Sequence, residues 1–328
     1  MSTITTSQPA TSSPLKRLIT GHPLLAFFVI VFAGEWIAFL PLVLAQNGLG
    51  LLPYTIPAVG GPYPVSYYFV SLAGILSTTL ASFTVTAITS GTAGVRQLLR
   101  RYVLWRVGLR WYLLVLVGVP LIQLALSSVL LGITPLTAFI QRWPLYFTTF
   151  LPQVLIIGVA AQIWEEGGWS GFAVPNLQQR FGAWRAMLIL GPLWALYHLP
   201  AFFVPGLIFD HKVGAITMIV QMVLLIIVAI LTRMVMIWVF NNTKGSILIA
   251  ILLHAALDAS NSGSVYITHV LPASQIGAYG LGSALLFPLV AAALLIIFTK
   301  GRLSYRSDRL AQQVEAPATV KSEQTGRS

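Results

Sequence analysis

Long apolar windows alternate with short polar or basic loops along most of the chain, near residues 24–45, 65–90, 111–133, 148–172, 183–205, 214–240, 246–258 and 278–299. The hydrocarbon core of a bilayer is about 30 Å thick and is crossed by roughly 20 apolar residues in a helix, so each window predicts a membrane span. The seventh is short and carries His254 and Asp258, as expected of a helix that trades lipid compatibility for an internal polar site. The predicted fold class is all-α, a polytopic bundle of about eight transmembrane helices. Residues 1–20 are rich in Ser, Thr and Pro and residues 303–328 are polar and charged, so both predict flexible tails around one membrane domain, 21–302. The first window ends in Val43-Leu44-Ala45 like a signal sequence, but its length and Glu35 favour a retained helix.

The loops sort by charge. Lys16 and Arg17 precede the first span; Arg96, Arg100, Arg101, Arg106 and Arg110 fill the second loop; Arg180 and Arg185 the fourth; Lys244 the sixth; and six more cations follow the last span. Arg142 and Lys212 fall on the opposite side. Basic loops resist translocation, which predicts cytoplasmic termini and an even number of spans. Arg233, in the cytoplasmic half of the sixth span, is expected to snorkel toward the headgroups. Residues 95–110 read equally as an interfacial helix or as a topological loop.

Composition agrees: 57% of residues are apolar and 8% charged. The formal net charge of +11 then reports orientation and attraction to membrane lipids and requires no nucleic-acid partner. The absence of cysteine excludes disulfides, thiol catalysis and thiolate-bound zinc. The expected setting is a multi-pass protein of a prokaryotic plasma membrane.

Against this background the polar residues inside the windows stand out. Glu165 and Glu166 lie side by side in Gln162-Ile163-Trp164-Glu165-Glu166-Gly167-Gly168-Trp169, although the whole chain has only eight acids. An ionised carboxylate in lipid needs a partner, a wet cavity or a chemical task. His254 and Asp258 are four residues apart and share one helical face, so the acid can orient the imidazole or both can address one atom. A simple packing pair is the alternative. Counting about 1.5 Å per residue from the nearest interfacial cation puts Glu165, His198, His254 and Asp258 at about 22, 20, 15 and 21 Å, one layer near mid-membrane. A carboxylate and two histidines in a secluded pocket suit water activation for attack on a carbonyl, and peptide hydrolysis fits. The same set, Glu165, His198 and His254, also matches a hydrolytic zinc site with an open position, and the sequence leaves both open.

These residues resemble the motifs of the CPBP family, the CAAX prenyl endopeptidases and bacteriocin-processing proteins also called Abi proteins. The family pattern is Glu-Glu-x-x-x-Arg, then Phe-x-x-x-His, then His-x-x-x-Asn/Asp. Here it reads Glu165-Glu166-Gly167-Gly168-Trp169-Ser170, Trp194-Ala195-Leu196-Tyr197-His198 and His254-Ala255-Ala256-Leu257-Asp258. The tracts Gly171 to Gln178, Asn241 to Ser246 and 96–112 are also similar, so the resemblance covers about 90–300. It implies an intramembrane endopeptidase in which Glu165 and His198 activate water, His254 and Asp258 hold the oxyanion or substrate, and Glu166 supports them. The implied partner is a peptide or protein, prenylated or membrane-bound. Ser170 stands where the family has arginine, which removes a counter-ion for the glutamates; Arg180 and Arg233 are the candidate replacements.

Rival readings remain. Gly168-Trp169-Ser170-Gly171 spells the Gly-x-Ser-Gly of rhomboid serine proteases, while Gly167 and Gly171 also have the spacing of close helix packing. Intramembrane carboxylates and histidines also serve proton-coupled transporters, and the loss of the arginine suits a catalytically silent scaffold. His22, His211 and His269 read as interfacial or solvated residues, and Glu35 as either a cavity partner or a packing group.

Overall fold

The computed structural model describes residues 13–56, 65–204 and 214–306, and among them every regular element is a helix. After a short helix α1 (Pro14–Gly21) come α2 (Pro23–Leu44), α3 (Tyr68–Tyr102), α4 (Leu109–Leu131), α5 (Tyr146–Phe203), α6 (Ala215–Asn242), α7 (Ile247–Ala259) and α8 (Ala273–Thr299). Six of these are long and apolar enough to cross a membrane, α2 to α6 and α8. The eight windows all fall on helix. Two of them, 148–172 and 183–205, lie on the single run α5. Its α-helical course breaks at Gly182, where φ is +77°, a conformation that a side chain resists, so α5 has two arms. Part of the expected N-terminal tail is ordered: Ser13 caps α1 by accepting from the Lys16 amide, and Ile19 is buried. Residues 1–12 and 307–328 of the expected tails, and His211 with its charged neighbours, lie outside the described residues.

The bundle builds its interior from three apolar clusters, of which the two larger share α6. One joins α2, α3, both arms of α5 and α6 through Phe27, Trp169, Leu190 and Phe240; the other joins α4, the first arm of α5, α6, α7 and α8 through Val115, Phe150, Leu253 and Tyr279. The short helix α7 sits among α4, α5 and α6, and Ile247, Ile249, Leu253, Ala255 and Ala256 are buried. That explains how a helix too short to span can hold polar residues at membrane depth: its neighbours cover it. Outward faces are apolar. Ile216, Ile219, Val220 and Val223 on α6 and Ile297 and Phe298 on α8 are exposed, a surface suited to lipid and costly in water.

The basic stretch 95–110 is helical as far as Tyr102 and is tied down there. α3 kinks at Gly91, where φ is +61°, and its last turns carry Leu98 into the core. Arg101 donates Nη1 to the Gly171 carbonyl at 3.3 Å, and Tyr102 donates its hydroxyl to the Ile163 carbonyl at 3.2 Å. Leu98 and Tyr102 therefore pack against α5 instead of lying in the headgroup boundary. Gln178 and Asn241, from the two other tracts singled out in the sequence, exchange amide hydrogen bonds of 3.0 and 2.8 Å between α5 and α6.

Candidate active site

Glu165 and Glu166 occupy one α-helical stretch, Ile163–Gly168, between two π-helical turns, Gly158–Gln162 and Trp169–Ala173. A π turn adds a residue and rotates the succeeding side chains, so this part of α5 aims them off the regular helical track. Gly168 lets α3 approach: a Cβ there would lie 2.6 Å from the Thr78 side chain. Thr78 and Thr79 clasp the same turn by donating to the Trp164 carbonyl at 2.9 and 2.6 Å. Gly167 admits the Tyr102 ring and Gly171 packs against Ile247 and Leu98, so the glycine spacing serves close packing.

Adjacent helical residues point in directions about 100° apart, and the two glutamates face different surroundings. Glu166 is enclosed. It is fully buried, and its Oε1 accepts from Arg233 Nη1 at 3.1 Å and from His254 Nδ1 at 2.8 Å, while Ser170 donates its hydroxyl to Oε2. Arg233 does not snorkel: its side chain is fully buried on α6, with its guanidinium carbon 4.2 Å from the Trp194 ring centre. The buried carboxylate captures it, since a paired guanidinium stacked on an aromatic face is far better placed in the interior than an unpaired one. Arg233 thus supplies the counter-ion missing at Ser170, whereas Arg180 is exposed and lies over Phe181.

Glu165 is buried too, yet its Oε2 has no hydrogen-bond partner among the described residues. Its charge interacts with His254, Glu166, Arg233 and Asp258. His198, at the end of the helical part of α5, has Nδ1 2.8 Å from the Trp194 carbonyl. A carbonyl only accepts, so Nδ1 carries the proton and Nε2 presents a lone pair. Trp194 joins the two histidines, its ring centre 5.2 Å from that of His198 and 5.4 Å from that of His254. On α7, His254 Nε2 faces Asp258 Oδ2 at 4.0 Å, and Gln162 donates its amide to the same oxygen at 2.6 Å.

The structure therefore gathers all five residues expected from the sequence, Glu165, Glu166, His198, His254 and Asp258. The Asp258 side chain is 39% exposed while that of Glu166 is fully buried, so the cluster opens on the Asp258 side and is sealed on the Arg233 side. Sequence reading passed over Gln162 and Tyr197, and named Arg233 only as a snorkelling cation and a candidate counter-ion. Gln162 lies four residues before Glu166, a spacing that could have marked it; Arg233 and Tyr197 carry no such local mark. Glu35 is buried, and its Oε2 has no hydrogen-bond partner among the described residues. His269 is exposed and bonded to the Val265 carbonyl, and His22 is exposed before α2.

Among the described residues no three His, Asp or Glu side chains form a group that could hold a metal ion. Carboxylates, neutral imidazole and a donor imidazole around an opening are the parts needed to activate and deliver water. The Ser170 hydroxyl donates to Glu166, and among the described residues no histidine bonds it. Ser170→Ala is expected to remain active, with a stability loss of about 1 kcal/mol for one hydrogen bond, and the wild type to escape fluorophosphonate labelling; a labelled Ser170 would restore the serine mechanism.

Residues 147–260, which contain the whole cluster, match the Rce1-like family of type II CAAX prenyl endopeptidases. The chain is also 28% identical over 114 residues to CAAX prenyl protease 2 of Methanococcus maripaludis. That similarity covers 34% of this chain and 41% of the relative, so the chain spans less than half the length of the relative it matches.

Proposed function

The chain belongs, through residues 147–260, to the CPBP family of CAAX prenyl endopeptidases, and from that premise we propose that it is an intramembrane endopeptidase that hydrolyses a peptide bond with water activated by Glu165 and His198. The observation that carries this reading is the unpartnered Oε2 of buried Glu165, in a cluster whose His198 holds Nδ1 on the Trp194 carbonyl and so keeps Nε2 to accept. Water between them is polarised by two acceptors. Glu165 takes its proton, the hydroxide oxygen bonds to the scissile carbonyl carbon, and the carbonyl oxygen becomes an oxyanion. His254, protonated on both nitrogens between Glu166 and Asp258, presents Nε2–H to that oxyanion. Glu165 then returns the proton to the nitrogen as the C–N bond breaks, so water is divided between the two products.

Glu166 supports this arrangement. Ionised and tied to Arg233, it fixes His254 through Nδ1. Asp258, held by Gln162, keeps His254 charged from its other side and meets the substrate at the opening.

The substrate class we propose is a membrane-associated protein with a prenylated cysteine near its C-terminus, in keeping with the name of the relative. The lipid-facing surface of α6 gives such a chain a hydrophobic approach. Purified protein free of added metal should cleave a farnesylated peptide and leave its unprenylated counterpart largely intact, with metal content measured on the same sample. Equal cleavage of both peptides would remove the prenyl requirement; activity that tracks stoichiometric zinc would replace glutamate-activated water with a metal mechanism. A fully inert protein carrying counter-ion-bound Glu166 would favour the scaffold.

A further inference from the structure

We propose that the Gln162 side chain carries the acceptor for one main-chain N–H of the substrate, that of the residue whose carbonyl is attacked. The inference deepens the hydrolytic reading and rests on it. Gln162 closes the π turn Gly158–Gln162 of α5 and leads directly into the α-helical stretch that holds the glutamates. It stands three residues before Glu165 and four before Glu166, the spacings at which side chains on a helix are neighbours. The residue is 3% exposed and donates Nε2 to Asp258 Oδ2 at 2.6 Å, the oxygen that faces His254 Nε2 at 4.0 Å. Gln162 is thus next to both glutamates along α5 and in direct contact with the acid that faces His254 on α7.

Only one end of its amide is used. A carboxylate oxygen accepts and does not donate, so the NH₂ end faces Asp258 and Oε1 remains an acceptor. That oxygen is buried, and among the described residues nothing donates to it. Oε1 and Nε2 share one carbon, so the open acceptor stands close to the Asp258 carboxylate, where the cluster opens. An unmatched buried acceptor is costly, and a donor that arrives with the substrate removes that cost on binding. Peptides bring such donors. In an extended chain the N–H and C=O of one residue point to the same side, as they do where antiparallel strands exchange both bonds. A scissile carbonyl turned toward His254 Nε2–H therefore sends the N–H of its own residue toward the same flank, where Gln162 Oε1 is open. These contacts read the backbone and select which carbonyl is presented without demanding a particular side chain.

The test uses a short farnesylated peptide and a series of analogues, each with one main-chain N–H replaced by an ester oxygen. Binding is titrated to purified Glu165→Ala, so that the reading does not depend on turnover, and product masses from the wild type locate the scissile bond. The ester at the residue that supplies the scissile carbonyl is expected to bind about 10-fold more weakly than the parent, the effect of one buried hydrogen bond, while the other esters differ little from it. That ester leaves the scissile amide intact, so the same ratio is read again from kcat/KM of the wild type. In Gln162→Met, with its melting temperature checked, parent and ester should behave alike. Gln162→Asn, which withdraws the acceptor by one methylene, should lower the ratio several-fold and serves if the methionine variant does not fold. A role confined to bracing Asp258 would weaken every peptide together and leave the ratio intact. A series without a discriminating ester, discrimination at another residue, or an undiminished ratio in the folded Gln162 variants overturns the assignment. Discrimination through Gln162 in a wild type that cleaves nothing would instead sink the hydrolytic reading and leave a site that binds peptide backbone.

Discussion

Glu165→Ala is expected to lower cleavage of a prenylated peptide by at least about 10²–10⁴-fold, the range contributed by a positioned base. The protein should stay folded. Among the described residues Glu165 makes no hydrogen bond through Oε2 and no cation contacts it directly, so alanine removes a desolvated carboxylate and leaves none of them orphaned. His198→Ala should fall in the same range, because it takes away the second acceptor of the water. The double variant should be little worse than either single one, since two groups acting on one water fail as a unit. The rates would be read from product formation under single-turnover conditions, with helicity and melting temperature as folding controls. Undiminished cleavage by folded Glu165→Ala would remove it from the chemistry and turn attention to Asp258, the most accessible acid of the cluster.

The residues of this site were legible because lipid makes polarity expensive. Glu165, Glu166, His198, His254 and Asp258 each stand in a run of apolar neighbours, and counting helical rise placed them in one layer. What could not be read was the rotation of one helix against another. Adjacent glutamates look equivalent in a string of letters, yet one is enclosed by Arg233 of α6 while the other is buried with Oε2 unpartnered among the described residues. Arg233 was misread for the same reason: its depth suggested snorkelling, but its partner lies 67 residues away and only packing brings them together. The windows themselves predicted the helices well because hydropathy is a local property. The two windows on α5 stay separate arms because the helical course breaks at Gly182 between them.

Arg233→Met is expected to be the most destabilising single change in the cluster, by about 3–5 kcal/mol. It removes the only cation other than His254 that bonds Glu166 among the described residues, and it does so where no water can replace it. The cost arises from the stranded carboxylate, not from the absence of a favourable bond, which makes a specific pattern of rescue. Glu166→Gln alone should also destabilise, since it leaves the guanidinium unpaired against Trp194. The combination Glu166→Gln with Arg233→Met should recover most of the stability, because both halves of the buried pair are then neutral. It should not recover activity, for His254 would lose the carboxylate that orients it through Nδ1. A second rescue involves Ser170, one turn along from Glu166 and already bonded to it. Ser170→Arg in the Arg233→Ala background places a guanidinium on the same helix as the glutamate and into space the deletion has opened, and it should restore part of both stability and turnover. Melting temperatures of these variants in one detergent form a double-mutant cycle. Strong positive coupling between positions 166 and 233, and between 170 and 233, is the expected result. Additive losses would mean that the Arg233 side chain acts through packing on Trp194 and Trp169 alone, and that its charge is not what replaces the arginine absent at position 170.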